Sequence, residues 1–375
     1  MDEHLAKTLA RFRVDPQLGF LIKCRPEDFP MKYRSWVEIC ERFSDLITSC
    51  KVEEALEALP ELACDELLTH EDYRYAHLLL VTITSGYLWN QRTSQTPTKL
   101  PRSVSLSLLT VSEHLGLLPV VTHASACLAN WKLTDPDKEF CPENLRLLAF
   151  KFFEHEGNDW FFTVTAQIEK DFAKAICSIV HATSLNAIEE NCDKPTKAAL
   201  LEISKAVELG IASFAKMKER LPAPFFYHQL RKFLWGYNQG SLAENGLIFE
   251  GAEHLGPLKY DGASAAQSSI VSTVDAFLGV KHQGTGDKFL KEQRRCMIKE
   301  HRQLIEWVEK FTPVTETTKH RNEAMAAISK FRTHHLTVVA YYILSQLPPD
   351  NKSAATGTGG TPFMTFLKNL RDDCQ

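Results

Sequence analysis

No CxxC pair occurs in this chain. Its ten cysteines, at positions 24, 40, 50, 64, 127, 141, 177, 192, 296 and 374, stand apart. That excludes zinc ribbons and thioredoxin-like motifs and fits free thiols in a reducing compartment. An excess of one charge is also missing: 43 Lys and Arg against 47 Asp and Glu leave −4. Such a balance creates no field to gather nucleic acid or an anionic membrane. Long hydrophobic runs are absent too. The longest, Leu78 to Trp89, is broken by threonines, Ser85 and Gly86 and is too short to span a bilayer. The start, Met1-Asp2-Glu3-His4-Leu5, is acidic and has no apolar core, unlike a signal peptide. A soluble, cytoplasmic monomer that binds neither nucleic acid nor membrane is expected.

Familiar catalytic signatures are missing as well. HExxH, the Walker A loop and the GxSxG elbow do not occur. The Gly357–Gly360 cluster follows a polar loop rather than a strand, which removes the dinucleotide-binding reading. Alternating period-2 runs are almost absent, whereas apolar residues recur at helical spacing. Ser35–Ser49, Glu71–Trp89, Trp160–His181, Lys197–Arg220, Phe225–Trp235, Lys288–Phe311 and Thr317–Leu347 read as helices. The fold class is all-α.

A length of 375 residues suggests about two domains. The breaker-rich stretch Lys132–Asn144 is the best boundary, giving a small N-terminal helical domain over 1–140 and a large one over 141–375. Within the latter, 348–362 is a long glycine-rich loop, Thr361 and Pro362 being placed to restart a helix.

The informative helix is Thr317–Leu347. Ala324, Ile328, Phe331, Val338, Val339 and Tyr342 form one apolar stripe, and His335 falls on it, while His334 points about 100° away. An inward histidine is commonly a hydrogen-bonded core residue. The sharper reading is a ligand to haem iron, for which one histidine on a rigid helix suffices, with Arg332 one turn earlier for a propionate. Periodicity alone does not choose. A second constellation is Phe225-Phe226-Tyr227-His228-Gln229-Leu230-Arg231. Its arginine among aromatics either meets an anion or lays its stem over the rings at the surface. A third is the small-residue run Gly262 to Ser269, which permits close helix packing or close approach of a flat cofactor.

In order and spacing, Leu128-Ala129-Asn130-Trp131, Gly262-Ala263-Ser264-Ala265-Ala266-Gln267-Ser268-Ser269 with Asp275 and Leu278-Gly279, His301-Arg302, Arg332 with His335, and Gly357-Thr358-Gly359-Gly360-Thr361 resemble the indoleamine 2,3-dioxygenase family. The resemblance implies a two-domain helical protein, not a globin fold, with haem b between the domains and His335 as its iron ligand. It implies Asp275 and Arg332 beside the haem, Phe161 and Phe162 on a distal helix, and Ser264 and Ala265 over the cofactor. Phe226, Tyr227 and Arg231 match distal-pocket positions, and Thr358 matches a hydroxyl that meets the substrate's amino-acid end. O₂ and L-tryptophan or another indoleamine are the implied ligands. Three positions depart from the efficient-enzyme pattern: His123 for a tyrosine, Thr165 for a serine and Ala263 for a glycine. Tyr227 also stands where phenylalanine is common. The family includes gastropod myoglobins, in which this fold stores oxygen. The departures favour oxygen storage as the expected function; Arg231 and the glycine loop favour the alternative, a low-efficiency dioxygenase producing N-formylkynurenine.

Overall fold

Helical periodicity carries through to the three-dimensional arrangement, seen in a computed structural model that describes residues 3–24, 26–90, 96–188, 193–311, 318–348 and 363–373. In chain order the helices are α1 Glu3–Arg11, α2 Arg34–Glu41, α3 Phe43–Thr48, α4 Val52–Glu57, α5 His70–Trp89, α6 Arg102–Leu115, α7 His123–Ala126 and α8 Glu156–Asp171. They continue as α9 Ala173–Asn186, α10 Asp193–Arg220, α11 Ala223–His228, α12 Ser269–Leu278, α13 Gly284–Gln293, α14 Lys299–Phe311, α15 Lys319–Tyr342 and α16 Phe363–Asp372. The described strands are two residues each. Lys99–Leu100 (β1) pairs in parallel with Ile248–Phe249 (β4), and Lys132–Leu133 (β2) pairs antiparallel with Leu145–Arg146 (β3). The all-α reading therefore holds. The glycine-rich loop and Thr358 lie outside the described residues.

Helix α5 shows how the sequence makes the interior. Thr69 Oγ1 accepts from the Asp72 N–H at 3.1 Å and Asp72 Oδ2 accepts from the Thr69 N–H at 2.9 Å, a reciprocal cap that starts the helix. Residues from Arg74 to Trp89 are then buried almost without interruption. A helix that is apolar nearly all round belongs inside a protein. Its hydroxyls bond back within the helix, Thr82 to the Leu78 carbonyl at 2.7 Å and Thr84 to that of Leu80 at 2.8 Å. Gly86 is required by packing: a Cβ there would fall 2.0 Å from the Phe43 ring.

Several long periodic segments are broken in the structure. Trp160–His181 divides at Phe172, a fully buried ring, into α8 and α9. Both pieces pack on α10, which also packs along α15. Ser35–Ser49 divides at Arg42, and Lys288–Phe311 divides at a 3-10 turn over Arg294–Cys296. Phe225–Trp235 tightens from α11 into a 3-10 turn, Leu230–Leu234, and α15 stops at Tyr342. In each case the apolar pattern continues while the axis turns to keep it on the core. Lys132–Asn144 is closed by the β2–β3 pair and by Asn144, whose amide donates to the carbonyls of Asp135 and Glu139. The cysteines among the described residues are free. No helix among them is long and apolar enough to cross a membrane.

The interior also carries neutral histidines. His77 is fully buried, its Nδ1 2.6 Å from Ser125 Oγ, and burial holds its basicity down to about 3. Below pH 6.5 the unfolded chain takes up a proton that native His77 refuses, so native stability falls as pH drops from 6.5 toward 3. The slope is about 1.4 kcal/mol per pH unit for one such group. Denaturant melts at pH 7, 6, 5 and 4 should show less acid loss in His77→Gln than in the unaltered chain. An unchanged difference between the two would refute the assignment.

Candidate functional site

One cavity of about 300 Å³ collects most of the residues singled out from the sequence. One wall is α15. Phe331, Arg332, Val338 and Val339, each three or four residues from His335, face the space with it, as does Tyr342 one further step on. His334, one step off the stripe, does not line it. The Phe331 ring is fixed edge-on against Phe172 at 5.3 Å, and Phe214 stands 5.9 Å from the His335 ring.

His335 has its accessible surface in the cavity while lying deep in the fold. Burial, with smaller contributions from Arg332 and His334, holds its pKa down to about 4. It is therefore a neutral imidazole at pH 7, the form that binds metal. No hydrogen bond among the described residues engages its ring. A core histidine kept for structure would have partners for its ring nitrogens. Among the described residues this one has none, which favours the ligand reading over the structural one.

Arg332, one helical turn earlier, donates to Asp275 Oδ2 at 2.5 Å and to the Leu370 carbonyl at 3.1 Å. Burial alone would raise the Asp275 pKa; Arg332 and His282 outweigh it and hold the carboxyl below its ordinary value. His282 spans Asp275 at 3.0 Å and Asp373 at 2.9 Å, so α12, α15 and the end of α16 are joined by one buried network beside the cavity.

The facing wall comes from α8. Phe161, Thr165, Ile168, Glu169 and Phe172 line the space. Thr165 Oγ1 donates to the Phe161 carbonyl at 2.7 Å, so its hydroxyl is spent within the helix. Phe162 does not reach the cavity. Adjacent helical residues diverge by about 100°, and its ring packs in the core 5.7 Å from Phe150. Phe226 lines the cavity between Phe161, at 5.0 Å, and Tyr342, at 5.5 Å. Tyr227 does not line it; its ring lies 5.5 Å below the Arg231 guanidinium. The 3-10 turn after α11 swings Arg231 onto the cavity wall, buried to 8% exposure, where desolvation lowers its pKa.

The remaining side is the small-residue segment. Ala263, Ser264 and Ala265 line the cavity, and Ser264 Oγ accepts from the Ala266 N–H at 3.3 Å. A Cβ on Gly262 would fall 2.0 Å from the Leu234 carbonyl oxygen. Close backbone approach explains that glycine. His123 also lines the space, with its Nε2 2.8 Å from Glu169 Oε1. Glu169 and Leu370 were not among the residues picked from the sequence. Glu169 sits four residues after Thr165 and eight after Phe161, on the same face of α8. Among the described residues, no group of three or more His, Cys, Asp or Glu side chains is placed to hold a metal ion.

Comparison with known proteins adds the following. The family model for indoleamine 2,3-dioxygenase matches residues 8–375. The chain is 32% identical to indoleamine 2,3-dioxygenase 1 of Rattus norvegicus, over 98% of this chain and 94% of that protein. It is 31% identical to indoleamine 2,3-dioxygenase 2 of Homo sapiens, over 97% and 94%. It is equally 31% identical to a myoglobin of Haliotis diversicolor, over 98% of both.

Proposed function

Because this chain belongs to the indoleamine 2,3-dioxygenase family, we propose that it is a haem protein that binds O₂ in the cavity between α8 and α15 and uses it to oxygenate L-tryptophan or a related indoleamine. The observation that carries the haem reading is His335: a neutral imidazole on the cavity wall whose ring makes no hydrogen bond among the described residues. A metal held by this single histidine takes its other ligands from a macrocycle, and the mostly apolar walls suit a flat one. Bound haem b would supply the ferrous iron for O₂ chemistry, which in a dioxygenase would add both oxygens across the indole C2–C3 bond.

The protein's own residues do the rest. Phe161 and Phe226 make an apolar slot for an aromatic ring, and Ser264 and Ala265 close the segment beside it. Arg231 brings a guanidinium into a partly dry space, where it can fork onto a carboxylate. Arg332, tied to Asp275, stiffens the helix turn that carries His335 and offers positive charge for a propionate.

Oxygen storage is the second reading, and His123, Thr165 and Ala263 favour it. The geometry weakens that case. The Thr165 hydroxyl is turned onto its own helix and the His123 ring is held by Glu169. Both departures are absorbed in the wall, and Arg231 remains at the cavity. The test is the absorption spectrum of haem-loaded ferrous protein in air, with and without L-tryptophan. Conversion of added tryptophan to N-formylkynurenine over many turnovers is expected. A lasting oxygenated spectrum that tryptophan leaves unchanged would establish storage instead.

A further inference from the structure

The cavity wall contains a buried charged cluster that the proposed function leaves without a task. His123 Nε2 lies 2.8 Å from Glu169 Oε1, and the Ser268 hydroxyl donates to the same oxygen at 2.8 Å. All three residues are buried, at 6%, 3% and 7% exposure. A second tie runs through the backbone. The His123 N–H donates to Gln267 Oε1 at 2.9 Å, and the Gln267 amide donates to the Gly262 carbonyl at 2.8 Å and to Gln293 Oε1 at 3.0 Å. His123 therefore grips the segment 262–268 at two points, once through its main chain and once through its ring by way of Glu169.

That segment is also closed from behind. Gly262 is pressed against the Leu234 carbonyl and the Gly236 N–H so tightly that no side chain fits between them. Beyond Gly262 the segment is tied to His123 and Glu169 through Gln267 and Ser268. Burial alone would make His123 a weaker base, but the Cys127 thiol and the Glu169 carboxylate outweigh it and raise its pKa to about 10. That direction favours the imidazolium, whose contact to Glu169 is a charge-assisted bond, stronger than a neutral one.

We propose that His123 and Glu169 are positioning residues that hold the segment 262–268 back from the cavity and thereby decide how bulky a ligand it admits. The inference rests on the haem reading for the identity of the bound ligand, but not for the mechanics of the segment. It applies equally to a planar organic substrate and to any iron ligand larger than a diatomic.

Two variants and two measurements test it. Ser268→Ala removes one tie and leaves the His123–Glu169 pair intact; His123→Phe removes the pair. In haem-loaded ferrous protein, affinities for carbon monoxide and n-butyl isocyanide are read by titration. Loss of a charge-assisted bond bounds the effect at about ten- to a hundred-fold. Isocyanide affinity is expected to fall by about tenfold in either variant, with carbon monoxide affinity changed less than about twofold. Equal shifts for both ligands would show general loosening and overturn the proposal, as would no shift for either. The second measurement is amide hydrogen exchange of 263–268 in the full chain without added haem. Faster exchange is expected there in Ser268→Ala, with the amides of α5 unchanged; unaltered exchange in 263–268 overturns the proposal. Should the unaltered chain take up no haem, the haem reading fails while exchange still decides the role of the pair.

Discussion

His335→Ala is expected to abolish stoichiometric haem uptake, while His334→Ala leaves it nearly intact. The two residues are neighbours in sequence and nearly identical in chemistry, so the contrast isolates orientation. His335 faces the cavity between α8 and α15, and burial keeps its imidazole neutral, with pKa about 4. His334 stands off that face, with its ring centroid 6.0 Å from that of Phe214. An iron–imidazole bond is the strongest single attachment a haem has in such a site, and the apolar walls provide only non-directional contact. Without the ligand, any retained haem should be loosely held and released on gel filtration. Titration of each variant with haem, followed by pyridine haemochrome assay of the desalted protein, reads the outcome. Retention by His335→Ala and loss by His334→Ala would reverse the assignment. Added imidazole offers a further check: restored haem binding in His335→Ala would show that the missing ring nitrogen, rather than a disturbed fold, was responsible.

How much of this was legible from the chain depends on which residue sets each feature. The stripe that carries Phe331, His335, Val338 and Tyr342 follows from 3.6-residue periodicity and appears in α15 as expected. So does the juxtaposition of Asp275 with Arg332, which the family resemblance implied. Periodicity does not report where an axis bends, and the breaks at Arg42, Phe172 and Gln229 are set by what the helices pack on. Helices α6 and α12 went unread because serine and other small residues are indifferent helix formers. Their helicity comes from burial, as at Ser105, Ser107, Val274 and Phe277. Phe161 and Phe162 look interchangeable as letters, yet one lines the cavity and the other fills the core. Tyr227 follows Phe226 on α11 and diverges from it by about 100°, so it leaves the cavity that Phe226 lines. Glu169 resembles a solvent-facing charge until His123 and Ser268, distant in sequence, are seen to meet it.

Arg231→Ala is expected to lower kcat/KM for L-tryptophan by about ten- to a hundred-fold while leaving haem uptake unchanged. The side chain sits on the cavity wall and over the Tyr227 ring, and desolvation already lowers its pKa. In such a place a charge-assisted pair with a carboxylate contributes roughly 1.5–3 kcal/mol. At 1.36 kcal/mol per decade this corresponds to about one to two orders of magnitude in rate. Arg231→Lys should recover only part of the loss, because an ammonium keeps the charge but cannot fork onto both carboxylate oxygens. Substrate chemistry supplies a matching control. Tryptamine, which lacks the carboxylate, should be handled alike by the unaltered chain and by Arg231→Ala, since the interaction is missing in both. The measurement is N-formylkynurenine formation under reducing conditions, with the analogous product followed for tryptamine. A penalty for Arg231→Ala that is just as large with tryptamine would mean that the arginine serves the fold of the cavity rather than the substrate. No turnover by the unaltered chain, with O₂ affinity insensitive to Arg231→Ala, would return the cavity to oxygen storage.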